Sequence, residues 1–205
     1  MKKRTVYSLL FATVVLVLGA GGARAGDAFN RPGPYVGLGA AGGLSDFGGA
    51  AAHFGDSYGF NFRTGYRFND YLAIEGLFEY MDDFGHSRTS ANERVKASAS
   101  IQTNNFALQT KVIIPTGLSQ LQPFLSGGIG FLNANGSGKL RVGSTTVEDR
   151  RAPSATEFAG RVDGGVDYFF TPQVSAFVGA GYVIPTDQLS DLSYISVSAG
   201  VKYNF

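Results

Sequence analysis

Between Tyr58 and Phe68 the chain reads in twos. The even positions are Tyr58, Phe60, Phe62, Thr64, Tyr66 and Phe68, and the odd ones Gly59, Asn61, Arg63, Gly65 and Arg67. A strand turns successive side chains to opposite faces, so one face is almost wholly aromatic and the other carries arginines. At helical period the same residues would scatter around the axis. The alternation returns over 72–80, 105–114, 157–170, 174–182 and 195–205. Two further runs, 35–43 and 123–133, follow it less clearly because of their glycines. The pattern predicts eight strands.

The connections alternate as well. Strands two and three meet at Asn69-Asp70, four and five through 115–122, and six and seven at Thr171-Pro172-Gln173. The other gaps, about 44–57, 82–100, 134–155 and 185–192, are mostly longer, polar and rich in Gly, Ser, Thr and Asp. Short turns at one end and long loops at the other are the pattern of an outer-membrane barrel. An up-and-down antiparallel barrel of eight strands is therefore the expected fold, all-β and transmembrane.

Alternation alone does not say which face meets which solvent. A soluble barrel would turn its apolar face inward. Here the polar face holds few large residues and many glycines, which suits a narrow interior. Glycine is 29 of 205 residues, and only 16% are charged; soluble domains carry about 25% charge. The apolar face has aromatics toward its ends, at Tyr58, Tyr66, Phe68, Tyr80, Phe106, Tyr168, Phe170, Tyr203 and Phe205. That matches the two aromatic girdles of a membrane barrel. Closure is required, because an open edge in lipid leaves backbone groups unpaired at several kcal/mol each.

The first 25 residues read as an export signal. Met1-Lys2-Lys3-Arg4 is basic, Leu9–Leu18 is apolar, and Ala23-Arg24-Ala25 is a small-x-small cleavage site. Cleavage after Ala25 is expected, leaving 26–205 as one barrel domain. It would remove four of the 17 basic residues and leave 13 against 16 acidic ones, a net charge of −3. No basic stripe remains for nucleic acid.

The final run, Tyr194-Ile-Ser-Val-Ser-Ala-Gly-Val-Lys-Tyr-Asn-Phe205, resembles the terminal strand of Gram-negative outer-membrane proteins. Pro34-Tyr-Val-Gly-Leu-Gly39, Gly65-Tyr-Arg-Phe68 and Pro123-Phe-Leu-Ser-Gly-Gly-Ile-Gly130 resemble the eight-stranded family of the OmpA transmembrane domain, OmpX, OmpW and the opacity proteins. The resemblance spans 33–205. It implies an outer-membrane location with periplasmic termini, and contact with outer-membrane lipid and lipopolysaccharide. It implies Tyr203 and Phe205 as an assembly signal read by the barrel-assembly machinery, with periplasmic chaperones on the way. It is specific for architecture and poor for function. A peptidoglycan-binding domain like that of OmpA is not expected here, and a monomer is.

The polar face carries Arg63, Arg67, Lys111, Arg161 and Lys202 against Glu75, Glu79, Glu157, Asp163 and Asp167. Five bases against five acids predict a self-neutral interior charge network. Either Phe68 faces Leu72 or Arg67 faces Tyr71, and each register leaves Arg63 opposite or diagonal to Glu75, within cross-strand reach. An eight-stranded barrel is only wide enough for side chains to fill it.

Other chemistry finds little support. The chain has no Cys and two His, His53 and His86, which excludes thiol nucleophiles and multi-histidine metal sites. Gly37-Leu-Gly-Ala-Ala-Gly42 matches a dinucleotide motif by letters, but no helix follows. Lipid A deacylases share this fold and use a Ser/His pair. His86 and Ser87 fall in an expected external loop instead, so no enzyme and no cofactor are expected. The leading reading is a membrane anchor with a filled lumen, whose polar, mixed-charge segments 82–100 and 134–155 suit an extracellular ligand. A narrow channel for small solutes or hydrophobic molecules is the alternative, and a lipid-modifying enzyme the third.

Overall fold

A computed structural model describes residues 29–45, 56–89, 95–142, 145–151 and 154–205. The cleavage site at Ala23 and Ala25, the leader, and His53 lie outside the described residues. Among the described residues nine strands run in chain order: β1 (Gly33–Ser45), β2 (Ser57–Arg67), β3 (Leu72–Thr89), β4 (Val95–Ile113), β5 (Leu121–Val142), β6 (Thr145–Arg151), β7 (Ala155–Phe169), β8 (Val174–Pro185) and β9 (Tyr194–Asn204). Eight of them close a ring, with β5 passing directly to β7 and β9 returning to β1; all pairings are antiparallel. The short β6 pairs with the far end of β5. No helix among the described residues is long and apolar enough to cross a membrane.

The register fixes the width. From Tyr35 it passes through Gly65, Glu75, Gln109, Gly128, Arg161, Val183 and Tyr194, and returns to β1 at Ser45. The barrel is thus staggered by ten residues. With ~3.3 Å per residue and ~4.8 Å between strands, this gives a tilt of about 40° and a backbone radius of about 8 Å. Such a tube holds one crossing side chain per level and little else. Where the wall approaches itself closely, it needs glycine. A Cβ on Gly130 would fall on the Phe106 carbonyl oxygen, and one on Gly59 on that of Tyr80.

Outside, apolar residues face the bilayer. Phe62, Phe78, Phe106, Phe131 and Phe158 are register partners on successive strands. The rings of Phe78 and Phe106 stand 4.7 Å apart and those of Phe131 and Phe158 4.6 Å apart. Near the termini Tyr66 with Phe68, Tyr168 with Phe170, and Tyr203 with Phe205 form ring pairs at 5.0–5.2 Å. The Phe205 amide donates to the Pro34 carbonyl, tying the last residue to the first strand.

Three expectations from sequence need correction. Segments 82–100 and 134–155 are largely strand: β3 and β4 continue as one hairpin and β5 with β6 as another. Beyond the bilayer neither face is selected to be apolar, so the alternation that marks a membrane strand fades. Residues 90–94, 143–144 and 152–153 lie outside the described residues. The 185–192 connection, expected as a polar loop, forms a short 3₁₀ turn (Asp187–Leu189) and buries Leu189 and Leu192. The interior is also less uniformly polar than its glycines suggest. Ala41, Met81, Phe84, Leu132, Ala134, Ala159, Val183 and Tyr194 pack with those two leucines into an apolar cluster inside the far mouth. A bulge between Met81 and Phe84 turns both residues inward.

Candidate functional site

The interior is layered. At the terminal end, Arg67 closes β2 and folds across the mouth. Asn69 shapes the turn below it, its Oδ1 accepting from the amides of Tyr71 and Leu72, both at 2.9 Å. Arg67 donates to the Asn69 and Asp70 carbonyls at 3.0 and 3.1 Å, to Gln122 Oε1 at 2.9 Å, and to Asn30 Oδ1 at 3.2 Å. It also donates to the Phe29 carbonyl at 3.4 Å. Every one of these acceptors is neutral. Gln122 Nε2 donates to Asn30 Oδ1 at 2.7 Å, and the Phe29 ring meets that of Phe169 edge-on. The segment before β1 is thereby stitched into the mouth.

The next layer joins six strands. Asp167 accepts from Lys111 through one oxygen and from Lys202 through the other, both at 2.6 Å. Glu75 accepts from Arg63 Nη1 and from the Tyr35 hydroxyl, both at 2.9 Å. Aromatic rings line this layer. Lys111 Nζ lies 3.7 Å from the Phe124 centroid, and the Arg63 guanidinium 4.8 Å from that of Phe177. Cations gain from ring faces, most of all when desolvated.

Above it, Arg161 sits between two carboxylates. It donates to Glu79 through Nη1 at 2.7 Å and Nη2 at 3.0 Å, and to Asp163 through Nε at 2.9 and 3.0 Å. Glu79 also accepts from Tyr194 at 3.1 Å and Ser196 at 2.6 Å. Asp163 takes a further bond from Gln109 at 2.6 Å. Charge-assisted, two-pronged bonds of this kind are the strong ones. The apolar cluster then closes the far end.

Nine of the ten charged residues singled out in the sequence are buried in the lumen, eight of them ion-paired and Arg67 held by neutral acceptors. Glu157 stands apart, half-buried and opposite Leu132 near the far rim. Strands β2 and β3 take the register in which Phe68 meets Leu72, so Arg63 and Glu75 are diagonal neighbours. Sequence reasoning missed the neutral partners. Gln109, Tyr194, Ser196 and Ser198 sit at inward parity, which could have found them; Tyr35 opens a glycine-rich strand whose faces the alternation leaves undefined. Among the described residues no group of His, Cys, Asp and Glu could hold a metal ion. Two cavities adjoin at the terminal mouth, of about 20 and 60 Å³.

The model of a family described as the outer membrane protein beta-barrel domain matches residues 13–205. The chain belongs to that family. It is a small β-barrel of the Gram-negative outer membrane. Ail of Yersinia pestis, in complex with the heparin analogue sucrose octasulfate, superposes with a TM-score of 0.57 at 13% identity, over 85% of this chain and 99% of that one. Neisserial surface protein A gives 0.56 at 19% identity, over 84% and 97%. OprG of Pseudomonas aeruginosa gives 0.57 at 12%, over 88% and 99%. At these identities the likeness is one of fold. No curated protein matches the sequence.

Proposed function

We propose that this barrel is a non-conducting, non-enzymatic anchor that holds two long β-hairpins above the outer membrane for contact with an extracellular ligand. The observation that carries the reading is the contrast between lumen and rim. The lumen is crossed by ion-paired layers and capped by apolar side chains. The rim is lopsided: β3, β4 and β5 run 18, 19 and 22 residues, against 11–13 for β1, β2, β8 and β9. Length spent outside the bilayer does nothing for insertion and is suited to recognition. Ail, solved with a heparin analogue and named for attachment and invasion, supports a surface role without carrying its ligand over. In this reading the termini face the periplasm, the hairpins meet lipopolysaccharide and the cell's surroundings, and Tyr203 and Phe205 mark the barrel for assembly as a monomer.

Two measurements on the full chain test it. Refolded protein in planar bilayers should show no steady conductance. An epitope tag inserted at 90–94 should be labelled on intact cells. A steady, reproducible conductance would favour the narrow channel, and labelling only after lysis would overturn the orientation.

A further inference from the structure

The lumen is polarised. Near the far end one cation, Arg161, faces two carboxylates, Glu79 and Asp163. Near the terminal end the balance reverses. Four cations, Arg63, Arg67, Lys111 and Lys202, are buried there with two buried carboxylates, Glu75 and Asp167. Glu75 is committed to Arg63 and Tyr35. Asp70 sits half-buried in the rim turn, where Arg67 takes its backbone carbonyl.

The smaller cavity lies where this imbalance is greatest. It has a volume of about 20 Å³, and Arg67, Lys111, Lys202 and Asp167 are the charged groups of its wall. Three cations face one anion across a space that admits a water-sized sphere. Each lysine ammonium has three donors and gives one to Asp167. Two donors apiece remain without a hydrogen-bonded acceptor among the described residues. The larger cavity adjoins at Arg67, Phe169 and Asn204, adds Arg31 to its wall, and leads to the mouth. On its inner side the Phe124 and Phe177 rings stand against Lys111, Lys202 and Arg63. The geometry is a cationic recess at the terminal end.

We propose that this recess binds a single small monovalent anion of chloride size, held by Lys111 and Lys202 with Arg67 above the entrance. An uncompensated buried charge is strongly destabilising, and a bound monovalent anion would offset one of the two excess positive charges of the wall. The anion is then part of the folded barrel, and stability is linked to its concentration. The inference is independent of what the hairpins recognise.

The test is unfolding of the full chain in lipid vesicles at fixed ionic strength, with sodium chloride exchanged for sodium gluconate. Gluconate screens charge but is too large for the recess. For a site that binds only the folded state, chloride at a hundred times its dissociation constant raises the folded-to-unfolded ratio about a hundredfold, along a saturating curve. Lys202→Met removes one of the two ammonium groups that hold the anion and leaves the other paired with Asp167, so the chloride dependence should fall at least tenfold. Asp167→Asn removes the competing carboxylate and should enlarge it. An identical midpoint in chloride and gluconate for the unmutated protein would overturn the proposal, whatever becomes of the variants. So would full chloride dependence in Lys202→Met, which would put the anion elsewhere.

Discussion

Replacing Arg161 by methionine perturbs the lumen most, because two buried carboxylates depend on that one cation. Glu79 is fully buried and Asp163 nearly so. The substitution deletes both prongs to Glu79, the Nε bonds to Asp163, and a weaker contact to Asn105 at 3.4 Å. Among the described residues Glu79 keeps only Tyr194 and Ser196, and Asp163 only Gln109. Breaking a buried pair by removing one partner costs about 3–5 kcal/mol, or two to nearly four powers of ten in the folding equilibrium. Glu79→Gln then gives a test of sign. In the unmutated protein it exchanges acceptors for an amide and should destabilise by about 1.5–3 kcal/mol, the range for hydrogen bonds to charged groups. In the Arg161→Met background it removes a stranded anion and should restore stability. The assay is a double-mutant cycle on reversible urea unfolding in lipid vesicles, with heat-modifiable migration as the check on folding. If Glu79→Gln costs the same in both backgrounds, the coupling is zero and the layer is solvated rather than sealed.

Two further outcomes follow from the wall itself. Gly130→Ala places a methyl against the Phe106 carbonyl, and overpacking of this kind should cost about 1–3 kcal/mol, read as a lower urea midpoint. Deleting Phe205 should lower the amount of folded barrel in the outer membrane while leaving export intact; unchanged membrane levels would show that the terminal ring is not a signal.

The sequence is most legible where one side chain position out of two meets lipid. On β2 the alternation from Tyr58 to Phe68 identifies the strand, its faces and its turn, and the pairing of Arg63 with Glu75 follows because the two strands are neighbours. The contact between Arg161 and Glu79 was not legible. It joins β7 to β3 across the lumen, and such a meeting depends on the stagger of the closed ring, which no local pattern carries. Phe84 was hidden differently. The bulge after Met81 breaks parity, so an inward ring reads as part of a polar loop. The hairpin strands were missed for want of a solvent that distinguishes their faces.

The crossing contacts also bear on what holds such a barrel together. In lipid, apolar side chains gain little by leaving the acyl tails for one another, since those tails are as apolar as leucine. The phenylalanine row outside therefore cannot favour the closed ring as a core would. What the closed ring alone provides is a place for polar side chains away from lipid. Tyr35 reaches from β1 to Glu75 on β3, Lys111 from β4 to Asp167 on β7, and Lys202 from β9 to the same carboxylate. Each bond ties walls that do not share a backbone ladder. Together they brace the tube against flattening and fill its cross-section in the same stroke. The apolar cluster at the far mouth works by the opposite physics, since burial there removes Phe84, Leu189 and Leu192 from water. The same lumen is thus braced by charge along its length and by an apolar cluster at its far mouth.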